Sequence, residues 1–206
     1  MRILKRYFVL LILLAVQLLY IPINQAISGG YLVKANLDNH IPLQPAWVWL
    51  YLICIPLWII LFAWAGYKME DSLFWELWLS SMITFAIGIL IFIVIPTYVE
   101  RPIITGQGWS SDLLRFIYER DRVYNAFPSS HIYITCILAI FFVRWKAGLR
   151  IPAVIAVFLI ICSTLFTKQH SVLDSIGGLG LAYMGTWLGT QMRVVHERAQ
   201  GMAYKL

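Results

Sequence analysis

The sequence predicts an all-α membrane protein: a six-transmembrane-helix bundle with a short interfacial helix between spans three and four. Three observations carry that expectation. The 206 residues are 61% hydrophobic and only 13% charged, with mean hydropathy +0.77, which leaves too little polar surface for a soluble domain of this size. The apolar residues fall in six runs of near bilayer-crossing length. Between the runs stand short segments where Gly, Pro, Asn, Asp and the basic residues gather.

A single membrane domain over residues 1–206 follows, and its elements are justified in chain order. Met1-Arg-Ile-Leu-Lys-Arg6 precedes the first span, about 7–23. Ala26-Ile27-Ser28 would pass as a signal cleavage site, but the apolar run exceeds the ~7–15 residues of a signal core, so a retained anchor is expected. Residues 24–45, with Gly29, Gly30, Asn36, Asp38, Asn39, Pro42 and Pro45, read as a loop, and His40 within it as a solvated side chain. The second span, about 46–67, has Trp47, Trp49 and Tyr51 at one end and Trp64 and Tyr67 at the other, as an aromatic belt requires.

Lys68 to Asp71 form a turn into the third span, about 72–95, which Pro96 stops. In residues 103–127 the positions Trp109, Leu113, Phe116, Ile117 and Arg120 recur near helical spacing after Gly106 and Gly108, with Ser110 or Ser111 as N-cap. This is the expected interfacial helix, its apolar face toward lipid or the bundle. The remaining spans cover about 129–145, 151–167 and 172–192. In the last, Gly177, Gly178, Gly180, Gly185 and Gly189 allow helices to approach closely. Cys54, Cys136 and Cys162 lie in apolar runs, so no disulfide is predicted.

Six spans put both termini on one side. Arg2, Lys5, Arg6, Lys68, Arg144, Lys146, Arg150, Arg193, Arg198 and Lys205 fall on the terminal side; Lys34, Arg101, Arg115, Arg120, Arg122 and Lys168 fall opposite. By the positive-inside rule the termini are cytoplasmic. The same rule accounts for the net charge of +6 without a nucleic-acid partner; the expected location is the cell (plasma) membrane. No cofactor is expected.

Three polar clusters at span boundaries then share the outer face. Arg101 offers a planar fork suited to phosphate oxygens, and Pro102 biases it toward extended backbone. In Asn125-Ala-Phe-Pro-Ser-Ser-His131, Pro128 suits a first helical turn whose open amides attract an anion, and Ser129 or Ser130 adds a hydroxyl. His131, with an ordinary pKa of ~6.5, can protonate a leaving oxygen. His170 and Asp174 are four apart at a helix start, where the carboxylate can hold the Nδ1 proton and leave Nε2 as an attacking lone pair. Zinc ligation by His131, His170 and Asp174 is the rival reading, and it lacks a fourth protein ligand.

Arg-Pro, Pro-Ser-x-His and His-x-x-x-Asp in this order, across about residues 96–190, resemble the type-2 phosphatidic acid phosphatase superfamily of membrane lipid phosphatases and phosphotransferases. Asn-Ala-Phe-Pro-Ser-x-His and Thr-Lys-Gln-His-x-x-x-Asp are most similar to the branch that holds inositol phosphorylceramide synthase-like proteins. The resemblance implies that His170 is a nucleophile forming a phosphohistidine, with Asp174 orienting it and His131 as general acid. It also implies that Arg101, Ser129, Ser130 and nearby amides bind the phosphate. The chain departs from the family's best-known form in three places. Val94 stands where a Lys is usual, Ser163-Thr164 where Ser-Arg is usual, and Ser130 where Gly is usual. Lys168 is the nearest replacement cation, ahead of Arg122.

The function expected from these residues is a lipid phosphatase that hydrolyses a lipid phosphate ester or pyrophosphate without metal. Its partners are the lipid phosphate substrate and membrane lipids. A headgroup phosphotransferase is the alternative, and a non-catalytic lipid-binding or transport protein the second.

Overall fold

The computed structural model describes residues 1–203; Lys205, one of the basic residues counted on the terminal side, lies outside them. The chain runs through α1 (Arg2–Leu18), α2 (Tyr20–Ala26), β1 (Tyr31–Leu32), α3 (Val48–Lys68), α4 (Asp71–Val94) and β2 (Thr97–Tyr98). It continues through α5 (Trp109–Arg120), α6 (Ser130–Trp145), α7 (Arg150–Phe166) and α8 (Val172–Ala203). Among the described residues, four segments are long and apolar enough to cross a membrane: Arg2–Ala26, Pro45–Lys68, Asp71–Val94 and Ala147–Phe166. The apolar α6 is shorter, and α8 carries Asp174 in its first turn.

The first rod breaks at Leu19, because Pro22 has no N–H to offer the Leu18 carbonyl one turn back. The helix then continues to Ala26, past the expected end at residue 23, and makes Asn24 a buried helical residue. The Asn24 side chain accepts the Arg122 N–H at 3.1 Å and donates to the carbonyls of Arg122 and Tyr124. The start of α1 is anchored by Arg6, which is buried. It donates to the carbonyls of Gly66 and Met69 and pairs with Asp71, so this basic residue closes the α3–α4 turn.

The expected loop after the first span contains a strand. β1 pairs in parallel with β2, Tyr31 opposite Thr97 and Leu32 opposite Tyr98; two residues are too few to leave an alternating pattern in sequence. Further along this loop Asp38 accepts the N–H groups of Ala35 and Val172, which folds residues 31–44 against the start of α8.

The core centres on Phe74, Leu77, Tyr133, Ile137, Phe141 and Ala182, contributed by α4, α6 and α8. Glycines let α8 sit against both neighbours. A Cβ at Gly185 would stand 1.9 Å from the Thr84 hydroxyl of α4, and one at Gly178 would stand 2.8 Å from the Ser129 carbonyl; one at Gly180 meets nothing within 4 Å. At the end remote from the three motifs, the buried Glu76 carboxylate receives a two-pronged bond from Arg144 at 2.6 and 2.9 Å and the Thr190 hydroxyl. A carboxylate inside a helix bundle persists when it is paired in this way.

A helix, α5, forms within residues 103–127, but its cap is Gly108 at φ +101°, not Ser110 or Ser111. Ser110 instead accepts the Trp49 indole N–H at 3.0 Å. Leu114 and Ile117 pack on Val48 and Tyr51 of α3, and Trp109 and Phe116 remain exposed.

Candidate active site

A tight turn at the end of α7 aims His170. The Thr164 carbonyl accepts both the Gln169 and His170 N–H groups, at 3.0 and 3.2 Å, and Lys168 takes the left-handed φ of +54°. His170 therefore precedes α8, which begins at Val172, and shares no helix face with Asp174. Its position relative to Asp174 comes from a capping box instead. Ser171 N–H donates to Asp174 Oδ2 at 2.7 Å and Asp174 N–H donates to Ser171 Oγ at 3.1 Å.

The ring of His170 is buried, and its Nδ1 lies 2.9 Å from the Ala126 carbonyl oxygen. A carbonyl only accepts, so the neutral ring carries its proton on Nδ1 and presents Nε2 as a free lone pair. Asp174 Oδ2 is 3.7 Å from the same Nδ1, a second, longer electrostatic contact.

His131 sits in the first turn of α6, with the two ring centroids 5.9 Å apart. Aromatic packing holds it: Tyr51 stacks at 4.1 Å and 22°, and Trp58 meets it edge-on at 5.3 Å. Tyr51 is thus a buried shelf for His131 and not part of a lipid-facing belt. Both ring nitrogens of His131 are buried without a partner.

Arg101 is 7% exposed. It donates to the carbonyls of Asp121 and Arg122 and to the Gln169 side-chain oxygen, and lies 4.7 Å over the Tyr118 ring. Asp121 Oδ2 is 3.6 Å away, and Asp121 also accepts the Tyr20 hydroxyl at 2.7 Å. Burial pushes the Asp121 carboxyl above the ordinary aspartate range, against the pull of Tyr20 and Arg101. Sequence reading missed Asp121, Gln169 and Tyr20, since only chain closure over 20 residues or more brings them to Arg101.

Helix α6 begins at Ser130, so Pro128 precedes the cap residue Ser129 instead of filling the first turn, and no side chain caps the open amides. Ser129 is fully buried. Its N–H donates to the Asp174 carbonyl at 3.1 Å while its Oγ has no partner. Unpartnered buried atoms also include Arg101 Nε, Gln169 Nε2, Asp174 Oδ1 and Asn125 Oδ1 and Nδ2. Buried polar groups normally find partners; these unpartnered atoms fall on Arg101 and in the two segments that carry His131 and His170.

Two cavities meet here. One of about 700 Å³ holds Arg101, Asp121, Ser130, His131 and His170 at its head, and its wall continues down α1 and α3 along Leu14, Leu10, Ile55 and Ile59. The other, of about 480 Å³, lies under the 31–44 loop. Lys168 lines this second cavity, its Nζ donating to the Asp38 carbonyl at 2.9 Å, and burial lowers its pKa with Asp38 opposing. Arg101 and His170 line both.

At the departing motif positions the structure supplies no cation. Val94 is exposed on α4, and the hydroxyls of Ser163 and Thr164 are turned to the carbonyls of Ile160 and Ile161. Arg122 donates to the Gln25 carbonyl and lies over Tyr124. Among the described residues no group of three or more His, Cys, Asp or Glu is placed to hold a metal ion.

A family model described as the PAP2 superfamily matches residues 17–188. No curated protein and no solved structure matches the chain.

Proposed function

The chain belongs to the PAP2 superfamily, whose phosphatase-type chemistry acts on phosphate esters, and from that premise we propose an integral membrane enzyme that cleaves a lipid phosphate ester through a phosphohistidine at His170. The observation that carries the proposal is the 2.9 Å contact of His170 Nδ1 with the Ala126 carbonyl. It leaves Nε2 free to act as the nucleophile, on a ring whose centroid is 5.9 Å from that of His131 at the head of a long apolar cavity.

In this reading Nε2 attacks phosphorus, the P–O bond to the leaving alcohol breaks, and His131 gives that oxygen its proton. Arg101, the Ser129 and Ser130 hydroxyls and the open amides of α6 stabilise the equatorial oxygens, with Lys168 approaching from the second cavity. Water then attacks the phosphohistidine and returns a proton to His131. The wall from Tyr7 to Asn24, on α1 and α2, amounts to ~25 Å of helix, a length that supports a lipid chain as the occupant. It also favours a second reading, in which a lipid alcohol replaces water and the enzyme is a phosphotransferase.

Brief exposure to a lipid labelled in phosphorus should leave acid-labile, alkali-stable label on the protein, and His170→Ala should abolish it. Label that survives His170→Ala, or no label and no product with water or any alcohol, overturns the proposal. Phosphate release in water alone identifies the hydrolase; a new ester only with added alcohol identifies the transferase.

The proposed setting is six crossings of the plasma membrane, α5 in the interface, termini in the cytoplasm and the site on the outer face. The excess of basic residues on the terminal side supports it. An impermeant thiol reagent should label a cysteine placed at Arg115, and not one at Lys146, in intact cells. The opposite pattern reverses the orientation.

A further inference from the structure

Position 164, where the family's best-known form carries an arginine, holds a threonine whose hydroxyl turns back to the Ile161 carbonyl. The Thr164 carbonyl accepts the main-chain N–H of Gln169, so the residue next to His170 is tied to that departing position. Gln169 is 3% exposed and lines the cavity that also holds Arg101, His131 and His170.

The Gln169 amide has a fixed sense. A guanidinium only donates, so the amide atom that meets Arg101 is Oε1, and Nε2 occupies the other branch. Nε2 is buried and no protein atom accepts from it. Asn125 repeats the pattern in the second segment. It is 2% exposed, takes the left-handed φ of +59° and lines the same cavity, and its Oδ1 and Nδ2 have no partner. The two residues flank one contact: Ala126, which follows Asn125, lies against His170, which follows Gln169. A buried amide without a partner is costly, and the protein leaves two of them on the wall of this cavity. Arg101 Nε is unpartnered as well.

We propose that Gln169 Nε2 and Asn125 Nδ2 donate to the non-bridging phosphate oxygens, so that neutral carboxamides take the role of the absent motif cations. Their part in cleavage rests on the phosphohistidine reading above; the anion site itself does not. Four cations line the two cavities, and each is engaged: Arg101 with Asp121, Lys34 with Glu100 at 2.8 Å, Lys168 with the Asp38 carbonyl, and Arg120 over the Phe116 ring. Carboxamide N–H groups reinforce Arg101 without burying a further charge. Fixed donors of this kind stabilise charge that develops on oxygen.

The test uses full-length protein in lipid nanodiscs, a phosphorus-labelled phosphomonoester lipid to read label at His170, and inorganic phosphate as a binding probe. Gln169→Glu keeps an acceptor for Arg101 and, when ionised, offers no donor; Gln169→Met loses both. At neutral pH each variant should slow labelling by ~10²–10³-fold, the usual cost of one oxyanion donor, and should need about tenfold more inorganic phosphate for half-saturation. The Gln169→Glu defect, taken relative to wild type, should shrink as pH falls toward the ordinary glutamate range, because a protonated carboxyl donates again; the Gln169→Met defect should not. Asn125→Asp keeps the shape and tolerates the same backbone, should weaken phosphate binding in the same direction, and carries the test if Gln169→Glu does not fold.

Gln169→Glu matching wild type while Gln169→Met fails, or a Gln169→Glu defect that is the same at every pH, reduces Gln169 to a positioning residue for Arg101 and overturns the proposal. Phosphate binding unchanged in the Gln169 variants and in Asn125→Asp overturns it too. A wild type that takes no label at His170, yet binds phosphate about tenfold more tightly than Gln169→Met, removes the phosphohistidine and leaves the carboxamide site standing.

Discussion

The Nδ1 of His170 is 2.9 Å from the main-chain carbonyl of Ala126, the second residue of the segment that ends in His131. The orientation of the His170 ring is thereby set by the backbone that leads to His131. Any shift of the 125–131 segment moves both groups together.

The first prediction follows from that carbonyl. Because Ala126 fixes the tautomer, Asp174→Asn should lower kcat by about tenfold to a hundredfold, short of the ~10⁴ expected where the acid alone does so. Ser171→Ala breaks the capping box and should cost ~1 kcal/mol of stability with a smaller effect on kcat. A kcat loss near 10⁴ for Asp174→Asn, measured by single-turnover labelling, would show that the longer Asp174 contact governs the ring.

A second prediction separates two glycines of α8. At Gly178 an added methyl meets the Ser129 carbonyl at 2.8 Å and at Gly180 it meets nothing. Gly178→Ala should cost ~1–3 kcal/mol and push α6, with His131, away from His170, so activity falls more than stability alone explains. Gly180→Ala should match wild type in thermal melting and turnover. Equal behaviour of the two variants would mean that α6 and α8 are not held in the register described.

The apolar runs located α3, α4, α6 and α7 to within a few residues, since burial in lipid or core demands continuous hydrophobicity whatever the neighbours are. His131, His170 and Arg101 were legible because polar residues at the rim of such runs are costly without a task. The role of Tyr51 was not, because an aromatic near a span end looks the same whether it faces lipid or a histidine. Asp174 illustrates a signal present and unread. Ser171-Val-Leu-Asp174 is a capping pattern, and it explains why that carboxylate faces a helix start before it faces His170. Asp121, Gln169 and the second cavity depend on how the 31–44 and 103–124 segments close over the bundle, which no local pattern encodes.

A third prediction concerns Lys168 and pH. Burial lowers its pKa, so its charge is lost at a lower pH than that of an ordinary lysine. If that charge supports binding, kcat/KM falls on the alkaline side as pH rises through the lowered value. Lys168→Arg should move this limb upward while keeping part of the activity, because arginine stays charged but changes geometry. Lys168→Ala should weaken binding and turnover together and remove the limb. An alkaline limb unchanged in Lys168→Ala assigns it to another group.

The last prediction tests Asp121 as a competitor for the phosphate. Its carboxylate stands 3.6 Å from Arg101, on the group expected to hold the equatorial oxygens. Asp121→Asn leaves Arg101 bonded to the Asp121 and Arg122 carbonyls and to Gln169, so the guanidinium stays in place while a negative charge disappears. Two unit charges ~5 Å apart at an effective dielectric near 20 interact by ~3 kcal/mol, and exposure to water reduces this. A gain of about tenfold in binding an anion is the resulting expectation. Inorganic phosphate should therefore inhibit Asp121→Asn at about a tenth of the concentration needed for wild type, and the variant should use a monoester lipid relatively better than a diester. Asp121→Glu, which keeps the charge, should do neither. If Asp121→Asn instead loses activity with phosphate inhibition unchanged, the carboxylate serves to position Arg101 and does not compete with the substrate.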